Sequence, residues 1–267
     1  AAPSINVEEI EKKSVLISEL GGYAEYELVI NNSGELEMFE VYSLVGIRIE
    51  PTSSFELPTN VTILDITAQP SEKIMRERRG VFTFEYQMKG RNSGIYKDKL
   101  MMKIVSLKDV IELHTEPLNL GDSEAVVILR NIDNVNVPNV TVALESPFFS
   151  AFEMVSLEPY GEKRISVPLN LDSRGVVAGH YLVNGNLSVK DAQIDIEGFI
   201  EFVEKEGIQT EETSKGLIIK ERTITKKNVG NVPAPARVII SKDIVSRLFT
   251  THEPAPLVTQ RDRFGVV

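Results

Sequence analysis

The sequence contains no cysteine, no tryptophan and only three histidines, His114, His180 and His252, in 267 residues. Without thiols there are no cysteine nucleophiles, disulfide staples or thiolate metal sites. A secreted disulfide scaffold is thereby excluded, whereas a secreted chain with large apolar cores is not. None of the histidines has another at i+2 or i+4, so an imidazole-based zinc site or catalytic triad has little to draw on. No run of about 18 apolar residues exists to form a spanning helix, and no signal peptide is present. The chain opens Ala1-Ala2-Pro3-Ser4 without an initiator methionine. It is therefore read as beginning after a cleavage or a cut, with any membrane anchor outside this segment.

Positive charge is also scarce. Lys and Arg number 29 against 39 Asp and Glu, a formal net charge of −10. That excludes a nucleic-acid partner, whose phosphates need a basic face, and makes copies repel one another. With 42% hydrophobic and 25% charged residues the chain is globular.

One phrase is written three times: "INNSGELEMFEV" from Ile30, "RNIDNVNVPNVTV" from Arg130 and "KKNVGNVPAPARVII" from Lys226. The copies align at Asn32, Asn131 and Asn228, a period of about 98 residues. Gly34, Asp133 and Gly230 follow two places on, and Leu36, Val135 and Val232 four places on. Alternating residues flank the Asn, such as Tyr26, Leu28 and Ile30, or Val127 and Leu129. Alternation at period two marks strands with one buried face. Asn-x-Gly/Asp between them predicts a hairpin turn using left-handed backbone. The period suits an Ig-like sandwich of about 100 residues.

A second phrase is an alternating strand, a turn, then Gly-x-Tyr: Gly94 and Tyr96 in the first copy, Gly179 and Tyr181 in the second. On that alignment the first copy carries extra residues between turn and Gly-x-Tyr, and "VTILDIT" (Val61–Thr67) is assigned to this insertion. "SVLIS" reads as a first edge strand. The fold class is all-β: tandem Ig-like antiparallel sandwiches at 1–106 and 107–203, a polar linker at 204–216, and an incomplete third copy at 217–267. Since about 51 residues supply half a sandwich, the chain is expected to continue past Val267, or else to be completed by strand addition.

"NVGNVPAPARVII" and "NIDNVNVPNVTV", with "LEPYGEKRISVPLNL" and "AGHYLVNGNLSV", resemble Ig-like sandwiches of archaeal and bacterial surface proteins. These include S-layer-type, CARDB-like and alpha-galactosidase-associated accessory domains. Domain one departs from the pattern, with "QPSEKIMRERRG" where the Pro-x-Gly-Glu turn belongs. The resemblance implies an extracellular, membrane-anchored setting at the cell surface and a structural or adhesive role, with no catalytic residue.

Sites are few. "NIDNVN" offers Asp133 and three Asn oxygens to Ca²⁺, but Gly34 and Gly230 fill the matching place elsewhere, which favours turn geometry. No Gly-x-Ser-x-Gly or phosphate loop occurs. Catalytic residues, cofactors and metal ligands are all expected to be absent. Two basic clusters stand out, Lys73, Arg76, Arg78 and Arg79, then Lys215, Lys220, Arg222, Lys226 and Lys227. They suit an anionic partner or, as favoured here, solvated loops and an edge strand protected by Lys. Sequons at Asn31, Asn60, Asn139 and Asn186 are candidate glycosylation sites.

The resulting expectation is a non-enzymatic stalk or binding platform whose partner is a protein, a surface polymer or glycan, or another copy. The alternatives are an accessory sugar-binding module, with Tyr96, Tyr160, Tyr181, Phe148 and Phe149 as its rings, and a filament subunit completed by strand exchange.

Overall fold

The computed structural model describes residues 3–170, 176–216, 221–235, 237–240, 249, 251 and 253. Ala1–Ser173 with Gly179–Val203 make one compact unit, and Arg174–Ala178 with Glu204–Val267 a second.

The first unit opens with β1 (Ile5–Lys13), β2 (Val15–Ile17), β3 (Ala24–Asn32), β4 (Glu37–Tyr42), β5 (Ile47–Glu50), β6 (Phe55–Leu57) and β7 (Asn60–Pro70). A short helix α1 (Glu72–Glu77), β8 (Gly80–Gly90) and β9 (Ile95–Val105) follow. They build two sheets, β1-β3-β7-β5 and β2-β9-β8-β4-β6. The reason is visible in the alternation. Ala24, Tyr26, Leu28 and Ile30 of β3 are at most 1% exposed, and Phe84, Tyr86 and Met88 of β8 and Leu100, Met102 and Ile104 of β9 are buried with them. Each such side chain gains about 1.5–3 kcal/mol from burial. Tyr26 keeps its hydroxyl satisfied on the Met101 carbonyl at 2.7 Å. "SVLIS" supplies β2, an edge strand running parallel to β9.

A one-turn helix α2 (Leu107–Val110) leads to β10 (Ile111–Thr115), β11 (Glu124–Asn131), β12 (Val137–Glu145), β13 (Ser150–Leu157), β14 (Glu162–Pro168), β15 (Gly179–Val189) and β16 (Ala192–Phe202). Their sheets are β10-β11-β14 and β13-β12-β15-β16. Both halves are Ig-like sandwiches whose sheets are antiparallel apart from the β2–β9 pair, with strands crossing between them, and the fold is all-β.

Strand pairing corrects the assigned insertion. Val61–Thr67 lies inside β7, which pairs along its length with β3, just as β14 pairs with β11. Gly94 immediately precedes β9, the last strand of its sandwich, whereas Gly179 opens β15, the penultimate one. The counterpart of Gly179 is Gly80, which opens β8. Gly80 follows Gly34 by 46 positions and Gly179 follows Asp133 by the same 46, so between these points there is no insertion. Two consecutive strands of one sandwich both begin at or just after a glycine, and a local phrase cannot say which is which.

The hairpin is corrected too. β3 and β4 belong to different sheets, as do β11 and β12. In these two copies the phrase is therefore an arch from one sheet to the other. None of Asn32, Gly34, Asn131, Asp133, Asn228 and Gly230 has a left-handed φ.

In the second unit β17 (Ile208–Lys215) pairs antiparallel with β18 (Glu221–Asn228). The stretch expected as a linker, 204–216, thus contains a strand. Its acidic residues misled the reading: they are tolerated because every β17 residue is exposed. Opposite charge across the ribbon helps, with Arg222 2.6 Å from Glu212.

Candidate interaction surface

The repeated asparagine acts through its side chain. In each copy its Oδ1 accepts from the backbone N–H two residues on: Gly34 at 2.8 Å, Asp133 at 3.0 Å, Gly230 at 3.0 Å. Its Nδ2 donates forward, to the Glu35, Val135 and Val232 carbonyls. In the first two copies it also reaches the loop before the next central strand, at Leu57 and Pro58 in one and Glu158 in the other. One amide thus ties two loops together and satisfies groups that burial would otherwise orphan. Gly230 is fixed by close approach, since a Cβ there would lie 2.1 Å from the Lys205 carbonyl.

Asp133, where the other copies have Gly, has a different use. Its carboxylate pairs with Lys103 of β9 in the first sandwich and accepts from the Asn134 N–H, so the group offered to Ca²⁺ is already engaged. Nearby, Glu19 accepts from the Ser106 hydroxyl at 2.7 Å and the Leu107 N–H at 3.0 Å, where Ser106 caps α2. Burial opposes ionisation of Glu19, yet hydrogen bonds from Ser106, Ser18 and Leu107 outweigh it and hold the carboxyl below its ordinary value. Lys190 of the second sandwich donates to the Leu20 carbonyl at 2.6 Å. A cleft of about 360 Å³ remains beside these contacts, lined by Leu16, Leu20, Val135, Pro138 and Val189 among others.

The histidines stay scattered. His114 lies 2.9 Å from Glu112 on the outward side of β10, His180 is exposed on β15, and His252 lies outside the described residues. Among the described residues no three His, Cys, Asp or Glu gather as a metal group would require. Of the first basic cluster, Arg76 pairs with Glu72 along α1 and Arg79 donates to the Met75 carbonyl. In the second, Arg222, Lys226 and Lys227 stand on β18, and Lys220 is outside the described residues. Asn31, Asn60 and Asn139 are exposed. Asn186 is half-buried, its amide donating to Asp195 at 2.8 Å.

The rings proposed for sugar binding are mostly engaged in packing. Phe148 and Phe149 are 2% exposed, and Tyr181 meets Phe148 edge-on at 4.7 Å. Tyr96 donates to Asp98 at 2.7 Å, and burial first, then that bond, pushes its hydroxyl pKa up. Tyr160 alone among the five is well exposed.

Other apolar side chains are the exposed ones: Phe152 at 76%, Met154 at 67% and Phe199 at 63%. All three stand on the outward face of the β13-β12-β15-β16 sheet. The register sets the rows: Ser150, Glu145, Asn184 and Glu197; then Phe152, Ala143, Asn186 and Asp195; then Met154, Thr141, Ser188 and Gln193. Further along, Leu182 faces Phe199 and His180 faces Glu201. Sequence reading missed this face because it assigned apolar residues inward. The signal was there: in "SAFEMVSL" Phe152 and Met154 are out of phase with the buried Val155 and Leu157.

No family model matches the chain, and no curated protein matches it. Among solved structures it is similar to the D0-D1 domain of intimin, at 12% identity over 73% of this chain and 98% of that one, with a TM-score of 0.27. It is similar to the periplasmic chaperone SfaE at 11% identity over 74% and 99%, with a TM-score of 0.28. A third likeness is to red sea bream transglutaminase, at 8% identity over 77% and 32%, with a TM-score of 0.30. Likenesses this weak carry no argument about function, and the fold stands on the strand order above.

Proposed function

We propose that this chain is a non-enzymatic ectodomain acting outside the cytoplasm, at the cell surface, as a stalk or binding platform. In this reading residues 1–106 and 107–203 are successive modules, and a third begins after them. The observation that carries it is the junction between the two sandwiches. Only Ser106 separates β9 from α2. Glu19, the Lys103–Asp133 pair and Lys190 close the joint from both sides. A joint without slack holds two binding faces at a set spacing, which a platform needs and a flexible tether would lose.

Protease added to intact cells tests the proposal. Epitopes in both sandwiches should be reached without lysis, at the rate seen for purified protein. Protection of both until the cells are opened would overturn it.

A further inference from the structure

We infer that the outward face of the β13-β12-β15-β16 sheet is a docking surface for a cationic protein, one whose own surface mixes Lys or Arg with apolar side chains. This goes beyond the localisation above and does not depend on it.

Charge is the first argument. The acidic and basic side chains on this face, the imidazole of His180 aside, are all carboxylates: Glu145, Asp195, Glu197 and Glu201. No outward position on the four strands is Lys or Arg, although the chain has 29 of them. The matching sheet of the first sandwich differs, with Lys97, Lys99 and Lys103 at alternate positions of β9. The opposing sheet of the second sandwich has Arg130 and Arg164 in ion pairs with Glu162 and Glu116. Among the described residues none of the four carboxylates has an ion-pair partner. No Lys or Arg on these four strands offsets their field, which favours positive charge.

Exposed apolar area is the second. Phe152, Met154 and Phe199 leave most of their surface in water, and Leu182 is 39% exposed beside Phe199. They form two groups on the face, Phe152 with Met154 on edge strand β13 and Leu182 with Phe199 on β15 and β16, with Asn184, Asn186 and Glu197 between them; exposed apolar side chains set among polar groups in this way mark a protein contact. A purely polar ligand would leave them unused. A second copy of this chain is disfavoured as occupant, because each copy carries −10.

Size sets the strength. Four strands about 4.8 Å apart and about 27 Å long present roughly 500 Å² in projection. That lies at the low end for one side of a specific interface, so the contact is weak, reversible and salt-sensitive.

The test uses the full chain and a synthetic extended peptide alternating Lys and Leu as the probe, with a Glu–Leu peptide as its opposite. Amide resonances report where each binds. The Lys–Leu peptide should shift residues of β12, β13, β15 and β16, and its binding should weaken about tenfold between ~50 and ~500 mM salt. The Glu–Leu peptide should not bind. Phe152→Ser with Phe199→Ser, and separately Glu197→Lys, should each weaken binding at least fivefold. These positions are exposed, so folding is preserved, and the unperturbed amide spectrum checks it. Glu8→Lys, exposed on β1, should leave binding unchanged. Equal loss with Glu8→Lys would mean that binding follows net charge alone and would overturn the proposal, as would shifts centred elsewhere. Sedimentation showing self-association that Phe152→Ser abolishes would assign the face to a second copy, and would overturn it also.

Discussion

Asn131 is 1% exposed, and its amide holds the Val135 carbonyl at 2.6 Å and the Glu158 carbonyl at 2.9 Å. Replacing it by Ala orphans two carbonyls and the Asp133 N–H, each costing about 1–3 kcal/mol when buried without a partner. Asp is no substitute, since it donates nothing and sets a charge against two carbonyl dipoles. Asn228 makes the same local bonds but is exposed, so water replaces what a substitution removes. Asn131→Ala should therefore cost the first unit about 3 kcal/mol in urea unfolding, whereas Asn228→Ala should cost well under 1 kcal/mol. Equal effects would mean that the clasp acts only on its own turn and not between loops.

At the scale of elements, the three copies differ in what precedes the asparagine. In β3 the core phase reads Tyr26, Leu28, Ile30, and in β11 it reads Ala125, Val127, Leu129, all buried. In β18 the same phase reads Arg222, Ile224, Lys226, of which Arg222 is exposed and Ile224 and Lys226 half-buried. The β17-β18 ribbon repeats the asparagine's local bonds without the buried apolar row of β3 and β11. Closure in the second sandwich is tight. A Cβ on Gly198 of β16 would lie 2.4 Å from a Leu113 methyl and 2.7 Å from its carbonyl oxygen, and Thr115 donates to the Phe199 carbonyl alongside at 2.8 Å. Because backbone is in the way, Gly198→Ala must move β10 away from β16. We expect a loss of about 1–3 kcal/mol and faster hydrogen exchange at Leu118 and Val203, whose amides bridge the two edges. Unchanged exchange there would show that side-chain repacking suffices.

For the whole molecule the joint between sandwiches is the decisive feature, and it titrates. The folded carboxyl of Glu19 is held below the ordinary value of 4.5. The unfolded chain therefore binds more protons in that range, and stability rises with pH there. The contribution of Glu19 is present above the unfolded value and is lost as pH falls through the folded one. Glu19→Gln should lower the urea midpoint at pH 7 and flatten its fall below about pH 4.5. A variant with an undiminished acid slope would mean that other carboxylates, such as Glu37 with its Ser93 bonds, set the acid limit.

The sequence by itself determined the strands, the faces of most of them and the place of the clasp. Each rests on local chemistry: alternation sets which side chain is buried, and the asparagine's bonds to its own turn lie within four residues. It also supplied Asp133 as the odd member of its set, though not the reason, because Lys103 lies 30 residues away. Tertiary structure alone decided which strand pairs with which. Ladder hydrogen bonds join backbone to backbone and carry no side-chain label, so β8 and β9, both opening near glycine, read alike until β4 chooses β8. For the same reason an arch between sheets was taken for a hairpin, and a solvated strand for a linker. The face with Phe152 and Phe199 appeared only when four strands were laid side by side, since its lack of positive charge belongs to the sheet and to no single strand within it.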